Sequence, residues 1–219
     1  MATRVCVIFG TESGGSERHA KRISKTWTEG IAFSQTSDFM SGDAAAKKGL
    51  EALASDYDFL VVVTSSYGDG DPPSNYTKFL TALYVAEGEP LKGCQHAVLG
   101  FGSTDYETFQ NCPRLTDKLL GGLGSRRALQ RVEVDENDTL AGDTALEKWS
   151  KDVVAAFAKA ASTKGSADVC AWTKPESEIF DKKSELVSTG GGGGAFAMAP
   201  LVALAAVGVG FFYWKMTSE

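Results

Sequence analysis

The chain has 219 residues, of which 43% are hydrophobic and 23% are charged, the composition of an ordinary globular protein. Its net charge of −6 argues against nucleic acid as a partner, because binding to phosphates requires clustered Lys and Arg. Four widely spaced cysteines without a CxxC pair, together with only two histidines, argue against a zinc site and a disulfide framework.

Short apolar stretches alternate with amphipathic stretches of helical length from Thr3 to about Ala161. The predicted strands are Arg4–Phe9, Ala32–Phe39, Phe59–Thr64, His96–Phe101 and Ala128–Val134. The predicted helices are Ser16–Gly30, Ala44–Ala54, Tyr76–Glu87, Asn111–Leu123 and Thr144–Ala161. Five strands, each followed by a helix, predict a parallel sheet with helices on both faces.

The remainder of the chain is predicted to be a linker and a membrane anchor. Residues 165–194 are polar and end in five glycines, which is the composition of a flexible linker. Residues 195–214 carry no charge and are long enough to cross a hydrocarbon core of ~30 Å. The span ends in Phe211–Trp214 followed by Lys215, a pattern typical of a membrane interface. The alternatives are a buried core helix and a disordered Ala/Gly tail.

A single-pass C-terminal anchor predicts where the protein is found. The N-terminus shows no signal peptide, so we expect insertion after synthesis with the globular head in the cytosol. The endoplasmic reticulum and the outer mitochondrial membrane both remain open as the membrane.

The loop after the first predicted strand has the character of a phosphate site. Its sequence, GTESGGS at Gly10–Ser16, combines small residues and hydroxyls at the start of a helix. Free N–H groups and the helix dipole at such a position attract a phosphate. The loop is neither a Walker loop nor GxGxxG, and the alternative is a Gly/Ser turn that caps the helix.

The loops after the third and fourth predicted strands each contain glycines and one tyrosine. In Val63–Asn75 this residue is Tyr67, and in Gly100–Gln110 it is Tyr106. Neighbouring strand ends of a parallel sheet meet at one edge, so the two loops predict a slot for a flat aromatic ligand. The alternatives are a surface turn at Tyr67 and a helix-start residue packed on the sheet at Tyr106.

Three stretches, VIFGTESGGSERHAKRI, TSSYGDGDPPSNYTKFL and LGFGSTDYETFQ, resemble the FMN-binding loops of flavodoxins. The resemblance covers about Thr3–Ala161 and is closest to the FMN domain of diflavin reductases of the NADPH-cytochrome reductase type. It implies a flavodoxin-like, three-layer α/β/α domain at residues 1–164. The implied five-stranded parallel sheet has the order 2-1-3-4-5, and the C-terminal transmembrane helix follows it.

By the same resemblance, FMN is the cofactor and three groups of residues hold it. The phosphate group comprises Thr11, Glu12, Ser13, Gly14, Gly15 and Ser16. The first wall of the isoalloxazine slot comprises Ser65, Ser66, Tyr67, Gly68, Asp69 and Gly70. The second wall comprises Gly102, Ser103, Tyr106, Phe109 and Gln110. Tyr67 and Tyr106 match the two stacking tyrosines, and Gly68 matches a glycine whose carbonyl turns toward the flavin on reduction.

The expected function is electron transfer by a membrane-tethered FMN protein. Single electrons would pass from a separate NAD(P)H-dependent reductase to a haem or other redox acceptor, since the tether and tail stand where the reductases have an FAD/NADPH module. No catalytic acid, base or nucleophile and no metal is expected. The alternatives are a tethered interaction module without redox activity and an FMN-dependent NAD(P)H/quinone reductase.

Overall fold

The computed structural model describes residues 3–30, 37–162 and 179–189. The predicted membrane span 195–214, most of the predicted linker and the first part of the second predicted strand lie outside these ranges. Among the helices inside them, none combines the length and the apolar character needed to cross a bilayer.

The described part of the chain forms the parallel sheet that the sequence predicts. Its strands run in the order β2-β1-β3-β4-β5, and β6 also pairs with β4. The strands are β1 Val5–Phe9, β2 Ser37–Ser41, β3 Phe59–Ser65, β4 Gln95–Gly102, β5 Arg126–Arg127 and β6 Val132–Asp135. Every pairing is parallel, so the carboxyl ends of β1, β3 and β4 lie at one edge of the sheet.

The fifth predicted strand, Ala128–Val134, is wrong as a single element. The chain pairs with β4 at Arg126–Arg127, leaves the sheet, and pairs again at Val132–Asp135. Two guanidinium groups reach one buried carboxylate here: Nε of Arg127, at the end of β5, lies 2.7 Å from Asp117, and Nη1 of Arg131, between the two strands, lies 2.6 Å from it. A buried carboxylate requires such partners, and the break in the strand coincides with the residue that supplies the second of them, Arg131.

Seven helices are present in the described ranges, and two of the predicted helices differ from them. The helices are α1 Gly15–Gly30, α2 Gly42–Lys48, α3 Leu50–Asp56, α4 Thr77–Val85, α5 Asn111–Gly122, α6 Thr139–Ser162 and α7 Lys183–Thr189. The single helix predicted at Ala44–Ala54 is divided at Gly49, whose φ of 91° is not helical. Helix α6 begins before Thr144 because the Asp138 carboxylate accepts the amide hydrogen of Ala141 and caps it.

Two apolar layers hold the helices on the sheet. Alternate strand residues such as Val7 and Val61 face α1 and α6, where Trp149 is buried among them. The residues between them, such as Ile8 and Val62, face α2 to α5 on the other side. Because both faces of the sheet are covered, the central strands β1 and β3 are apolar, and polar residues enter β3 only at its carboxyl end, with Thr64 and Ser65.

Part of the predicted linker is packed on the domain. Residues 179–189 include α7, which contacts α4 and buries Leu186 in the second apolar layer. This packed stretch lies within the linker predicted at residues 165–194, and the bounds of that linker stay a prediction. An apolar residue in a short amphipathic helix within a polar segment explains the docking.

Candidate cofactor site

The loop after β1 is shaped to receive an anionic group. Gly10 remains joined to the sheet, since its amide donates to Val63 O at 2.9 Å. The chain then turns at Gly14, where φ is 85° and the amide donates to the Thr11 hydroxyl at 2.8 Å. Helix α1 starts at Gly15, and the first amides of a helix have no acceptor within it. These amides and the adjacent buried hydroxyls of Thr11 and Ser16 suit a phosphate.

The loop after β3 closes into a tight turn that displays one aromatic ring. Tyr67 and Asp71 exchange two backbone hydrogen bonds of 2.9 and 2.8 Å. Gly68 and Gly70 within the turn have φ values of 50° and 85°. A Cβ on Gly70 would lie 2.8 Å from Thr108 Cβ, so the close approach requires glycine there. The Tyr67 side chain is 58% exposed, which leaves its ring available to a ligand.

The loop after β4 displays the second ring. It is tightly wound: the Tyr106 amide donates to Ser103 O, and the Phe109 amide donates to Tyr106 O. Gly102 lets the Phe109 ring approach the backbone, since a Cβ there would lie 3.3 Å from it. Tyr106 is 59% exposed. Two tyrosines of similar exposure therefore stand on the loops of two hydrogen-bonded neighbouring strands.

Direct hydrogen bonds join the two aromatic loops to each other. The Ser66 amide donates to Phe101 O at 3.1 Å, and the Cys112 amide donates to Ser66 Oγ at 3.0 Å. Asn111 Nδ2 donates to Gly70 O at 3.2 Å. A pair of walls cross-linked in this way binds a planar ligand at low entropic cost, because the walls are positioned in advance.

Some residues predicted in the walls lie beneath them. Gln110 is fully buried and has a φ of 62°; its Nε2 donates to Val134 O at 3.0 Å, away from the open edge. A Cβ on Gly100 would lie 2.0 Å from Gln110 Oε1, so glycine makes room for this amide. Ser66, whose hydroxyl is used by Cys112, also supports the loop from below. Tyr67, Gly68, Asp69 and Tyr106 are exposed at the rim.

Two residues that the sequence did not point to connect the phosphate loop with the Tyr67 loop. Asn75 Oδ1 accepts the amide hydrogen of Thr11 at 2.9 Å. The amide of Ser74 donates to the carboxylate of Glu12 at 2.7 Å, which turns Glu12 toward the neighbouring loop. The sequence feature that could have pointed to Ser74 and Asn75 is the pair Pro72 and Pro73 just before them. Two prolines restrict the backbone at the end of the loop and so fix where the next side chains lie.

A fourth segment, after β6, completes the rim next to Ser103. The Glu136 amide donates to Gly102 O at 2.8 Å, and Asn137 Nδ2 donates to Ser103 Oγ at 2.9 Å. Hydrogen bonds from the Thr104 hydroxyl and the Asn137 amide lower the pKa of Asp135, so this carboxylate stays ionised. Because Ser103 Oγ accepts from Asn137, its own hydrogen is directed elsewhere and suits a ligand oxygen.

The thiol beneath the site is not reactive. Burial raises the pKa of Cys112 to about 12, and its sulfur lies 3.9 Å from Thr64 Oγ1. A thiol with such a pKa remains protonated at neutral pH and is a poor nucleophile. The chemistry of the site therefore depends on what the loops bind.

Known proteins share this combination of loops and sheet. The family model described as flavodoxin matches residues 7–149, which contain every loop described above. The chain belongs to the flavodoxin family. FMN is the cofactor of flavodoxins, and the residues present fit it, with hydroxyls and helix amides for the phosphate and two exposed tyrosines for the ring.

Solved flavodoxins confirm the fold. The oxidised flavodoxin 1 of Bacillus cereus superposes with a TM-score of 0.56 at 19% identity, over 72% of this chain and 98% of that one. A flavodoxin of Pseudomonas aeruginosa, solved as a cysteine-to-alanine mutant, superposes with a TM-score of 0.59 at 24% identity, over 71% and 99%. The domain thus has the flavodoxin fold, and it covers nearly the whole length of these two flavodoxins.

The curated relatives are larger flavoproteins whose FMN domains this flavodoxin domain resembles. Methionine synthase reductase of Caenorhabditis elegans is 31% identical over 158 residues, which are 71% of this chain and 22% of that protein. A self-sufficient cytochrome P450 monooxygenase of Exserohilum turcicum is 34% identical over 152 residues, 68% and 13% respectively. The sulfite reductase flavoprotein alpha-component of Klebsiella pneumoniae is 34% identical over 122 residues, 52% and 20%. The chain spans about a fifth or less of these three relatives.

Proposed function

We propose that the protein is a membrane-tethered FMN electron carrier. It passes single electrons from a separate NAD(P)H-dependent reductase to a haem or other redox acceptor. The described ranges contain one parallel sheet and one set of cofactor loops, which supports an electron donor in another domain or another protein.

The observation that carries this proposal is the exposure of both stacking residues. Tyr67 and Tyr106 are each more than half exposed, and they stand on the loops at the rim of the domain. A ring held between them keeps an edge near solvent, where a partner protein can approach it. Electron transfer needs such proximity and no acid, base or nucleophile from the protein.

The side chains around the ring bind and steer. FMN supplies the redox chemistry when bound, and the protein supplies position and electrostatics. Asp69, Asp105 and Glu107 are exposed beside the tyrosines, and they disfavour additional negative charge in the slot. The same carboxylates attract a partner with a basic docking surface and accelerate encounter at low ionic strength.

The names of the relatives support a haem acceptor. They include a cytochrome P450 monooxygenase and NADPH–P450 reductases, together with a sulfite reductase flavoprotein component. A domain similar to theirs suits a basic haem protein as acceptor and a nicotinamide-dependent flavoprotein as donor.

The membrane part of the proposal depends on the sequence of residues 190–214. A glycine run followed by twenty uncharged residues suits a flexible tether and a C-terminal anchor in the endoplasmic reticulum or outer mitochondrial membrane. A tether raises the effective concentration of the head at the membrane surface and improves encounter with membrane-bound partners.

Electron delivery is tested with the full chain loaded with FMN in detergent. The protein is reduced by a chemical reductant without oxygen and mixed with cytochrome c, a basic haem protein. Rapid haem reduction that slows at high salt is expected. A loaded chain that does not reduce the haem would contradict the carrier proposal. Steady oxidation of NADPH by the protein alone would instead favour the quinone-reductase alternative.

Membrane attachment is tested separately by flotation with phosphatidylcholine vesicles. The full chain is expected to float with the vesicles, and a variant that ends at Thr189 is expected to stay in the dense fraction. Equal behaviour of the two proteins would contradict the anchor and leave the electron-transfer proposal untouched.

A further inference from the structure

One segment outside the part matched to flavodoxins contacts the cofactor loops. The segment 179–189, called here the C-terminal strap, follows the matched residues 7–149 and crosses α4 and the start of α5. It ends in α7, whose Leu186 is buried. The strap therefore reaches the domain from a distant part of the sequence.

Asn111 clamps the strap and the Tyr67 loop with the same side chain. Its Nδ2 donates to Phe180 O at 3.0 Å, and its Oδ1 accepts the Phe180 amide hydrogen at 2.9 Å. The same Nδ2 donates to Gly70 O at 3.2 Å. Asn111 is fully buried, so if one of these hydrogen-bond partners is lost, water cannot replace it and a polar atom stays unsatisfied.

Lys182 forms the second connection. Its ammonium lies 3.1 Å from Asp71 Oδ1 and 3.1 Å from Glu185 Oε2, and its side chain is only 10% exposed. The Lys182 amide donates to Tyr84 OH at 3.2 Å, which fixes the backbone of the strap on α4. Burial alone would lower the pKa of Lys182, but its bonds to Glu185 and Asp71 outweigh burial and raise it.

Both connections act on the same end of the turn that displays Tyr67. Asp71 closes this turn through two backbone hydrogen bonds with Tyr67, and Gly70 precedes it. At the other end, Ser66 is already fixed by Phe101 O and Cys112 N. The strap thus secures the second anchor point of a turn whose first anchor point belongs to the flavodoxin domain itself.

We propose that the C-terminal strap is part of the FMN site, with Lys182 as a positioning residue. Lys182 holds Asp71 so that the Tyr67–Asp71 turn stays in its ligand-binding form, and its charge offsets that of Asp71 beside the slot. This inference rests on FMN as the ligand of the three loops. Because coupling between two binding events is reciprocal, FMN must in turn stabilise the docked strap.

The test uses the full chain and two matched variants of adjacent lysines. Lys182→Gln removes the partner of Asp71. Lys183→Gln removes the same charge from an exposed neighbour that, within the described ranges, has no ion pair with Asp71. We expect Lys182→Gln to weaken FMN binding about threefold to tenfold and Lys183→Gln to change it less than twofold. Lys182→Arg should recover most of the affinity. FMN affinity is measured by quenching of flavin fluorescence.

Hydrogen exchange gives a readout that a general loss of stability does not imitate. In the unsubstituted chain, bound FMN should slow hydrogen exchange of the strap amides. In Lys182→Gln, this FMN-dependent slowing should be smaller by the same factor by which the substitution weakens FMN binding. In an Asp71→Asn background, Lys182→Gln should have little further effect, because the partner through which it acts is gone.

Three outcomes would overturn the inference. They are equal affinities of the Lys182→Gln and Lys183→Gln variants, strap exchange that is unchanged by saturating FMN, and a Lys182→Gln effect that is undiminished beside Asp71→Asn. A chain that binds no FMN would instead overturn the assignment of the site. An error in the role given to Lys182 is thus distinguished from an error in the assignment of the FMN site.

Discussion

The side chain of Asn75 accepts the amide hydrogen of Thr11 at 2.9 Å, although the two residues are 64 positions apart. This bond ties the loop that follows β1 to the exit of the loop that follows β3. The phosphate site and the ring site are therefore one rigid unit. Substitution of Asn75 therefore removes a connection between the two loops and leaves the side chains that face the ligand unchanged.

Asn75→Ala should weaken FMN binding and lower the stability of the free protein. The variant leaves the Thr11 amide without its acceptor, and a lost hydrogen bond of this kind costs about 1 kcal/mol of the free energy of unfolding. Urea unfolding and FMN titration measure the two effects. Ser24→Ala, which removes an exposed hydrogen bond on α1, is the control and should change neither. Normal affinity in Asn75→Ala would show that the two loops act independently.

Tyr67→Ala and Tyr106→Ala should each reduce FMN affinity by about tenfold, since stacking of an aromatic ring on a base is worth roughly 1–3 kcal/mol. Both side chains are more than half exposed, so the unfolding free energy of the FMN-free protein should remain unchanged. The phenylalanine variants retain the ring and should bind nearly as well as the parent. Unchanged affinity in both alanine variants would remove the argument for a ring slot between these loops.

Two glycines of one turn should respond differently to alanine. At Gly68, with φ 50°, nothing lies closer than 4.0 Å to a new Cβ, so Gly68→Ala should cost only about 1 kcal/mol of folding stability. At Gly70, a new Cβ would meet Thr108 at 2.8 Å and Asn111 at 2.9 Å. Gly70→Ala should therefore cost at least about 2 kcal/mol. Urea unfolding of the two FMN-free variants measures these losses of folding free energy. Equal losses in the two variants would contradict the close packing around Gly70.

Folding stability should fall with acidity below pH ~6.5, the ordinary pKa of histidine, in part because of His96. Burial lowers the pKa of His96 although Asp117 accepts a hydrogen bond from its Nε2, and the neutral ring accepts from Ser125 at Nδ1. The unfolded chain therefore binds a proton that the folded chain does not, so stability rises with pH through this window. Asp117, whose pKa is lowered by His96 and Arg127 against the effect of burial, loses its contribution only at lower pH.

The only other histidine in the chain provides the control for this pH dependence. His96→Gln should reduce the slope of unfolding free energy between pH 5 and 6.5 by up to about 1.4 kcal/mol per pH unit. His19, part-buried and stacked on Phe101, also has a lowered pKa, caused mainly by burial, so His19→Gln should remove a separate share. An unchanged slope in His96→Gln would mean that this ring is protonated in the folded protein.

The central strands and the three loops could be predicted because their signals are local. Strands β1, β3 and β4 each contain an apolar run, and glycines or hydroxyl residues lie at or just beyond their carboxyl ends. In a parallel α/β sheet, ligands bind beyond the carboxyl ends of the strands, so a helix N-terminus or a tyrosine just after a strand indicates a ligand site. The order of the strands and the position of the site followed from these features and the resemblance.

The other features depend on partners far away in the sequence. The break between β5 and β6 depends on Asp117, which two arginines reach only once α5 is packed. Asn111 reads as an ordinary helix-start residue, yet it binds Phe180 across 69 positions. The docking of Lys182 on Asp71 has no local signal, since the polar stretch around it has the composition of a linker. Such contacts belong to the tertiary structure, and periodicity does not report them.

The most direct test of the account is a titration of the purified full chain with FMN, monitored by flavin fluorescence. We expect saturable quenching at one FMN per chain. Riboflavin lacks the phosphate and should bind far more weakly, because the Thr11–Ser16 loop is then empty. Fluorescence that stays unquenched at all FMN concentrations, in a chain shown by circular dichroism to be folded, would contradict it.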